Sequence, residues 1–153
     1  MGLIQISAVA QVPVSVAFAF VDDHRNVPDW MFGVTKFEPI GAQDSGLGAE
    51  FDVVMQLGPK AMKSKIRCTE WGQDEVITLT SYEGMRNNSS WRFRAVDAEK
   101  TELSVDFGYE FPGGFAGKAL AKIVEPAIQI AIRQTEQNLR KAIEEHHRAN
   151  PQD

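Results

Sequence analysis

A single cysteine, Cys68, stands in 153 residues, so no intrachain disulfide can form and the fold must rest on its core. Basic charge is not in excess either. The 16 Lys and Arg against 21 Asp and Glu leave a net charge of -5 and a pI near 5.2. Binding to a phosphate backbone needs a clustered basic face, so nucleic acid is not an expected partner. One local run, "KAMKSKIR", holds Lys60, Lys63, Lys65 and Arg67. Alternate residues of a strand share one face, which makes Lys63, Lys65 and Arg67 the wet side of a strand. Charges interrupt every possible apolar run of ~18 residues, so no membrane span is expected. The opening "MGLIQISAVAQVPVS" lacks a basic region and a long apolar core, and Ser7 comes one place late for N-myristoylation. The sequons in "NNSS" carry no meaning without a secretory signal. A cytoplasmic location is the expectation.

The usual signs of catalysis are also sparse. There are 3 histidines. His146 and His147 are adjacent, and adjacent helical residues do not share a face, so they read as a solvated helix end and no metal is expected. His24, between Asp23 and Arg25, suits a helix end and is a candidate general base at a cavity mouth. No nucleophile elbow occurs. "GFAGKAL" lacks the spacing of a phosphate loop and reads as helix entry, so no nucleotide cofactor is expected. Cys68 alternates with Met62, Ser64 and Ile66, which makes it a small buried hydrophobe rather than a nucleophile.

What is present is ordinary for a globular chain, with 43% hydrophobic and 24% charged residues. No repeat or linker divides it, so residues 1–153 read as a single domain. Residues 4–12 read as a strand ending before Pro13. Residues 14–23 read as a short helix, and "NVPDWMFG" as a second helical turn with Pro28 in its first turn. From Val34 the pattern turns to period two. "VTKFEPI", "AEFDVVMQL", "AMKSKIRCTEW", "EVITLTSYE", "SSWRFRAV" and "TELSVDFGYEF" are six candidate strands. The joins "GAQDSGLG", "GPK", "GQD", "GMRNN" and "DAEK" are too short for parallel crossovers, so neighbours must be antiparallel.

Alternation sorts the side chains into two faces. Phe51, Val53 and Met55 share one face, as do Met62, Ser64 and Ile66, Trp91 and Phe93, and Phe107 and Tyr109. The opposite face is charged. A sheet with one such apolar face must be covered. The cover is a helix expected over residues 115–145, continuous through Pro126. Lys118, Lys122, Glu125, Gln129, Arg133, Glu136 and Arg140 recur at three- and four-residue steps as one narrow polar stripe. Opposite the stripe fall small or polar residues, including Leu120, Ala127, Ala131, Gln134 and Asn138, flanked by Ile123, Val124 and Ile130. Small residues facing an aromatic sheet leave room for a guest. Composition alone leaves two arrangements open, a cavity or a core closed by Phe and Trp.

The order strand, two short helices, six-stranded meander and long helix resembles the START-like, or Bet v 1-like, helix-grip superfamily, and within it the polyketide cyclase/dehydrase and lipid-transport family. The resemblance is carried by Pro13, Val16, Phe20, Asp22 and Trp30 in "VPVSVAFAFVDDHRNVPDW" and by the closing "QTEQNLRKAIEE". These motifs mark a fold rather than a chemistry. The resemblance implies an α+β helix-grip fold, a seven-stranded curved antiparallel sheet around the long C-terminal helix. It also implies a hydrophobic cavity of the kind members use for lipids, sterols, polyketides or plant hormones. The lining expected from the strands and first helices is Trp30, Phe51, Val53, Met55, Met62, Ser64, Ile66, Trp91, Phe93, Phe107 and Tyr109. The helix would add Leu120, Ile123, Ala127, Ala131 and Gln134. Carriage or sensing of an apolar small molecule is the leading expectation. The alternatives are a cyclase or dehydratase using Tyr109 for proton transfer in the same cavity, and a protein-interaction module. The chain is expected as a monomer or homodimer without cofactor.

Overall fold

Joins of a few residues cannot carry a strand across a sheet, and they decide the topology. The computed structural model describes residues 2–31, 33–57, 59–110 and 115–149. Its elements run β1 (Gly2–Ala10), α1 (Val14–Asp22), a 3-10 turn (His24–Asn26), α2 (Val27–Trp30), β2 (Val34–Pro39), β3 (Glu50–Leu57), β4 (Lys60–Gly72), β5 (Val76–Gly84), β6 (Arg86–Asp97), β7 (Lys100–Glu110) and α3 (Phe115–Ala149). The 7-stranded sheet has the order β1-β7-β6-β5-β4-β3-β2, every pair antiparallel. This is the helix-grip architecture that the sequence implied. α3 runs through Pro126 and ends at Ala149 rather than at 145.

Beyond the helix end, one join differs from expectation. "GMRNN" does not stay a turn throughout, because β6 begins at Arg86. The reversal is made at Gly84, where φ is 81° and an added Cβ would collide with the Lys63 carbonyl, so only glycine fits. Asn87 and Asn88 then pair with Tyr109 and Gly108 of β7. Asn87 also gives its backbone N–H to Ser81 Oγ at 2.9 Å and its side-chain amide to the Met85 carbonyl at 2.9 Å. Asparagine's capacity for local bonds, a turn signal in sequence, is used here to start a strand.

Register shifts bend the sheet and change which residues face inward. In β2 the shift between Val34 and Lys36 lets both Val34 and Phe37 turn into the core. In β4 the shift between Cys68 and Glu70 puts Trp71 inward and Glu70 outward. In β5 the extra residue is Tyr82, which is exposed and donates to Glu50 Oε1 at 2.8 Å. The outer face is wet as expected. Lys65 lies 3.3 Å from Glu83, Arg67 2.9 Å from Glu50, and Arg94 3.2 Å from Glu102. These three basic side chains each meet an acid.

The cover packs differently from the simplest reading of its stripe. The buried line of α3 is Ile128, Ala131, Ile132, Thr135, Leu139 and Ile143. Ile123 and Ile130 are 61% and 60% exposed. At about 100° per residue, the packed face lies roughly a quarter turn from the polar stripe rather than opposite it. Leu139 and Ile143 join the main core with α1, α2 and the sheet. Ile128 and Ile132 form a second cluster with Met85, Phe107 and Tyr109. The far end of α3 is tied down by Glu144, whose Oε2 accepts from the Gln11 backbone N–H at 2.9 Å. His146 sets its ring at a tilt against Phe20, centroids 5.4 Å apart. That end is therefore docked, not merely solvated.

Candidate functional site

Between sheet and helices the apolar side chains leave hollows rather than one open cavity. The first, about 40 Å³, lies beneath α1, the 3-10 turn and α2; its walls include Trp30, Met31, Phe37, Phe51, Cys68, Ile77, Leu79 and Trp91. The second, also about 40 Å³, lies under α3, between Met31, Phe37, Val53, Met55, Ile66, Leu79, Trp91, Phe107, Ile128, Ala131 and Ile132. A third of about 20 Å³ sits beside β1 and β7, against Trp91, Leu103, Val105, Ile132 and Leu139. The first two share Met31, Phe37, Leu79 and Trp91, and Trp91 borders all three. A water molecule's share of liquid is about 30 Å³ and ligand pockets run to about 300 Å³ or more. The side chains of the partition thus divide the space into chambers too small for a ligand while they stay in place.

The structure brings many of the expected lining residues to these chambers. Trp30, Phe51 and Trp91 border the first, and Val53, Met55, Ile66, Trp91, Phe107 and Ala131 the second. Others go elsewhere. Phe93 packs edge-on against Phe18, centroids 5.2 Å apart, under α1. Ser64 is buried opposite Val53 and Gly84 in the sheet. Met62 is half-buried against the second core cluster. Ala127 and Gln134 are half-buried on the flank of α3, and Gln134 Nε2 donates to Asn138 Oδ1 at 2.9 Å. Ile123 points outward, as the rotation of the helix requires. The side chain of Leu120 lies outside the described residues.

Sequence reading missed Met31, Phe37, Ile77 and Leu79 on the walls. Phe37 was hidden by the register shift in β2. Ile77 and Leu79 lie on a strand whose two faces are both partly buried, so alternation carries no signal there. Met31 follows α2, where neither period applies.

The polar groups around the chambers are few. Asp22 stands on the rim of the first; burial pushes its carboxyl up, and the Trp71 indole N–H, donating to Oδ1 at 3.0 Å, pulls it back down. His24 lines the same rim with its Nε2 3.9 Å from Asp44 and its ring 6.1 Å from Phe51. Tyr109 is buried but donates its hydroxyl to Glu125 Oε1 at 2.8 Å. Burial first, and that bond second, push the phenol up to about 12. A proton held so tightly is poorly matched to acid–base work near neutrality, so Tyr109 acts as a tie between β7 and α3. Cys68 is 3% exposed and burial raises its thiol, as expected of a small core residue. Among the described residues, no group of three or more His, Cys, Asp or Glu could hold a metal, and no helix is long and apolar enough to cross a membrane.

Among the larger concavities, an open groove of about 540 Å³ runs along Thr80, Tyr82, Glu83, Arg86, Asn88, Tyr109 and Glu110 at the β5–β6 end. Its walls mix polar and apolar surface and it is open to solvent. For an apolar guest the smaller, apolar chambers are the better site, because burying apolar surface supplies the affinity.

Comparisons with known proteins agree with the fold. A protein of Thermus thermophilus superposes with a TM-score of 0.78 at 17% identity, over 93% of this chain and 97% of its own. The Zhui aromatase/cyclase from Streptomyces gives 0.76 at 14% identity, over 97% and 96%. Norcoclaurine synthase from Thalictrum flavum, in complex with dopamine and hydroxybenzaldehyde, gives 0.66 at 18% identity, over 95% and 87%. At identities this low the superpositions show a shared helix-grip fold and nothing more. No curated protein matches by sequence. The family described as polyketide cyclase/dehydrase and lipid transport matches residues 1–144, and the chain belongs to that family.

Proposed function

We propose that this chain is a single-domain, cytoplasmic carrier or sensor that holds an apolar small molecule between the sheet and α3, without metal or nucleotide cofactor. What carries this reading is the run of apolar wall shared by the two chambers. Met31, Phe37, Leu79 and Trp91 stand between them, so displacing these side chains joins the two spaces under one apolar lining. Met31 is unbranched and half-buried, the type of side chain that repacks with least cost. The aromatic small molecules bound by norcoclaurine synthase, and the aromatase/cyclase assignment of the Streptomyces relative, favour a ring-bearing guest over a straight chain.

Titration with naphthyl ketones, sterols and fatty acids tests this through the fluorescence of Trp30 and Trp91, which line the first chamber. Burial of apolar surface at roughly 25 cal/mol per Å², less the ordering costs of association, gives affinities of order micromolar. A saturable, stoichiometric signal from a ring compound is expected; none from any of the three classes sinks the proposal.

A second reading, a cyclase or dehydratase acting in the same space, is favoured by one observation. Asp22 sits on the rim of the first chamber with its carboxyl raised by burial, which suits proton transfer better than Tyr109 does.

A further inference from the structure

Trp30 is 1% exposed, and no group among the described residues accepts from its indole N–H. Buried polar groups are nearly always paired, so an unpaired donor needs an explanation. The contrast with Trp71 is direct, since that indole gives its N–H to Asp22. Trp30 is also well fixed. It ends α2, where the Met31 N–H bonds the Val27 carbonyl at 2.8 Å, and its ring stands edge-on to Trp91 with centroids 5.1 Å apart. The same ring forms part of the wall of the first chamber. A fixed, buried and unspent donor carried by a ring that walls an apolar hollow is what a recognition group looks like before its acceptor arrives.

We propose that Trp30 Nε1 is the donor that orients the guest, and that the guest is an apolar ring compound carrying a neutral carbonyl or ether oxygen seated on that N–H. This rests on the carrier reading above and narrows its ligand class. Neutrality follows from the charges nearby. The acidic group on this wall is Asp22, and the basic one, His24, already faces Asp44 at 3.9 Å. A carboxylate on the guest would lose its water beside another carboxylate, with no Lys or Arg among the described residues of this wall to receive it.

The probes are 2-acetylnaphthalene and 2-isopropenylnaphthalene, which differ only in C=O against C=CH₂, together with 2-naphthoate. Each is titrated into wild type and Trp30→Phe, which keeps an aromatic ring and removes the N–H. The ratio of ketone to alkene affinity should fall roughly tenfold in the variant, the worth of one hydrogen bond to a buried donor. Naphthoate should bind wild type more weakly than the ketone at neutral pH. An unchanged ratio overturns the role of Trp30 while leaving the carrier reading intact. Naphthoate binding as tightly as the ketone overturns the neutral oxygen. Failure of all three probes to bind wild type overturns this proposal, and the carrier reading falls with it only if sterols and fatty acids also fail to bind. Should Trp30→Phe not fold, the wild-type indole N–H proton resonance of Trp30 decides. It should move downfield with the ketone and not with the alkene, and no difference between them overturns the proposal.

Discussion

Asp22 meets two opposed influences: burial raises its carboxyl, and the Trp71 indole, donating to it at 3.0 Å, lowers it, with burial the larger. A carboxyl raised in the folded state binds its proton more tightly there than in the unfolded chain. Its ionised form therefore costs folding free energy. That cost is absent well below the ordinary value of 3.8 and grows as pH rises through the folded value. Asp22→Asn keeps an oxygen for Trp71 and removes the charge. The variant should have a higher urea midpoint than wild type at pH 7, with the gap closing by pH 3. A gap that instead widens on acidification would mean that Trp71 and its surroundings favour the ionised form. Other residues show why sequence reading stops where it does. Cys68 was legible because plain alternation holds from Met62 to Cys68. Trp71, three residues later, was not, because an extra residue within β4, between Cys68 and Glu70, breaks the alternation and turns it inward. The same holds for Phe37. Trp30 could be placed on the wall, but its unspent N–H is a property of neighbours that only the folded chain brings together.

At the scale of the element, α3 was legible as a helix and illegible as a face. A polar stripe flanked on both sides by apolar residues says which side is wet but not which flank packs. Ile123 and Ile130 lie on one flank, Ile128 and Ile132 on the other, and the sheet takes the second. Ala131 stands at the edge of the packed face, 3% exposed and lining the second chamber. The size of that hollow, about 40 Å³, then decides what the position tolerates. Ala131→Val adds two methyl groups, close to what the hollow can take, and should change stability little while weakening the binding of a naphthyl ketone. Ala131→Phe adds a whole ring and should overpack, costing about 1–3 kcal/mol in urea unfolding. If Phe is accommodated without loss, the partition has moved aside to receive it. If Val already costs as much as Phe is expected to, the helix seals a solid core at that point.

Across the whole molecule, the sheet's outer face is charged and largely paired, and its inner face is aromatic and divided. The meander of the last six strands, their antiparallel pairing and the covering helix were legible, because short joins and period-two runs leave one topology open, whereas the place of β1 beside β7 is set by no short join. The division of the interior was not, since it depends on which side chains meet across three elements. Met31 after α2, Phe37 in β2, Leu79 in β5 and Trp91 in β6 converge from distant parts of the chain. Of these, Met31 is the one that regular structure holds least, and it sets the last test. Met31→Ala removes the flexible member of the partition and should join the two chambers into one. Stability should fall by about 2 kcal/mol, the low end for deleting a buried Met side chain, because this one is only half-buried. Affinity for a naphthyl ketone should rise severalfold, since the guest no longer has to displace the thioether chain before it enters. Urea unfolding and ligand titration on the same preparation read both effects. If instead affinity falls along with stability, Met31 is a contact surface for the guest rather than a barrier to it, and the partition must open at Trp91 or Leu79.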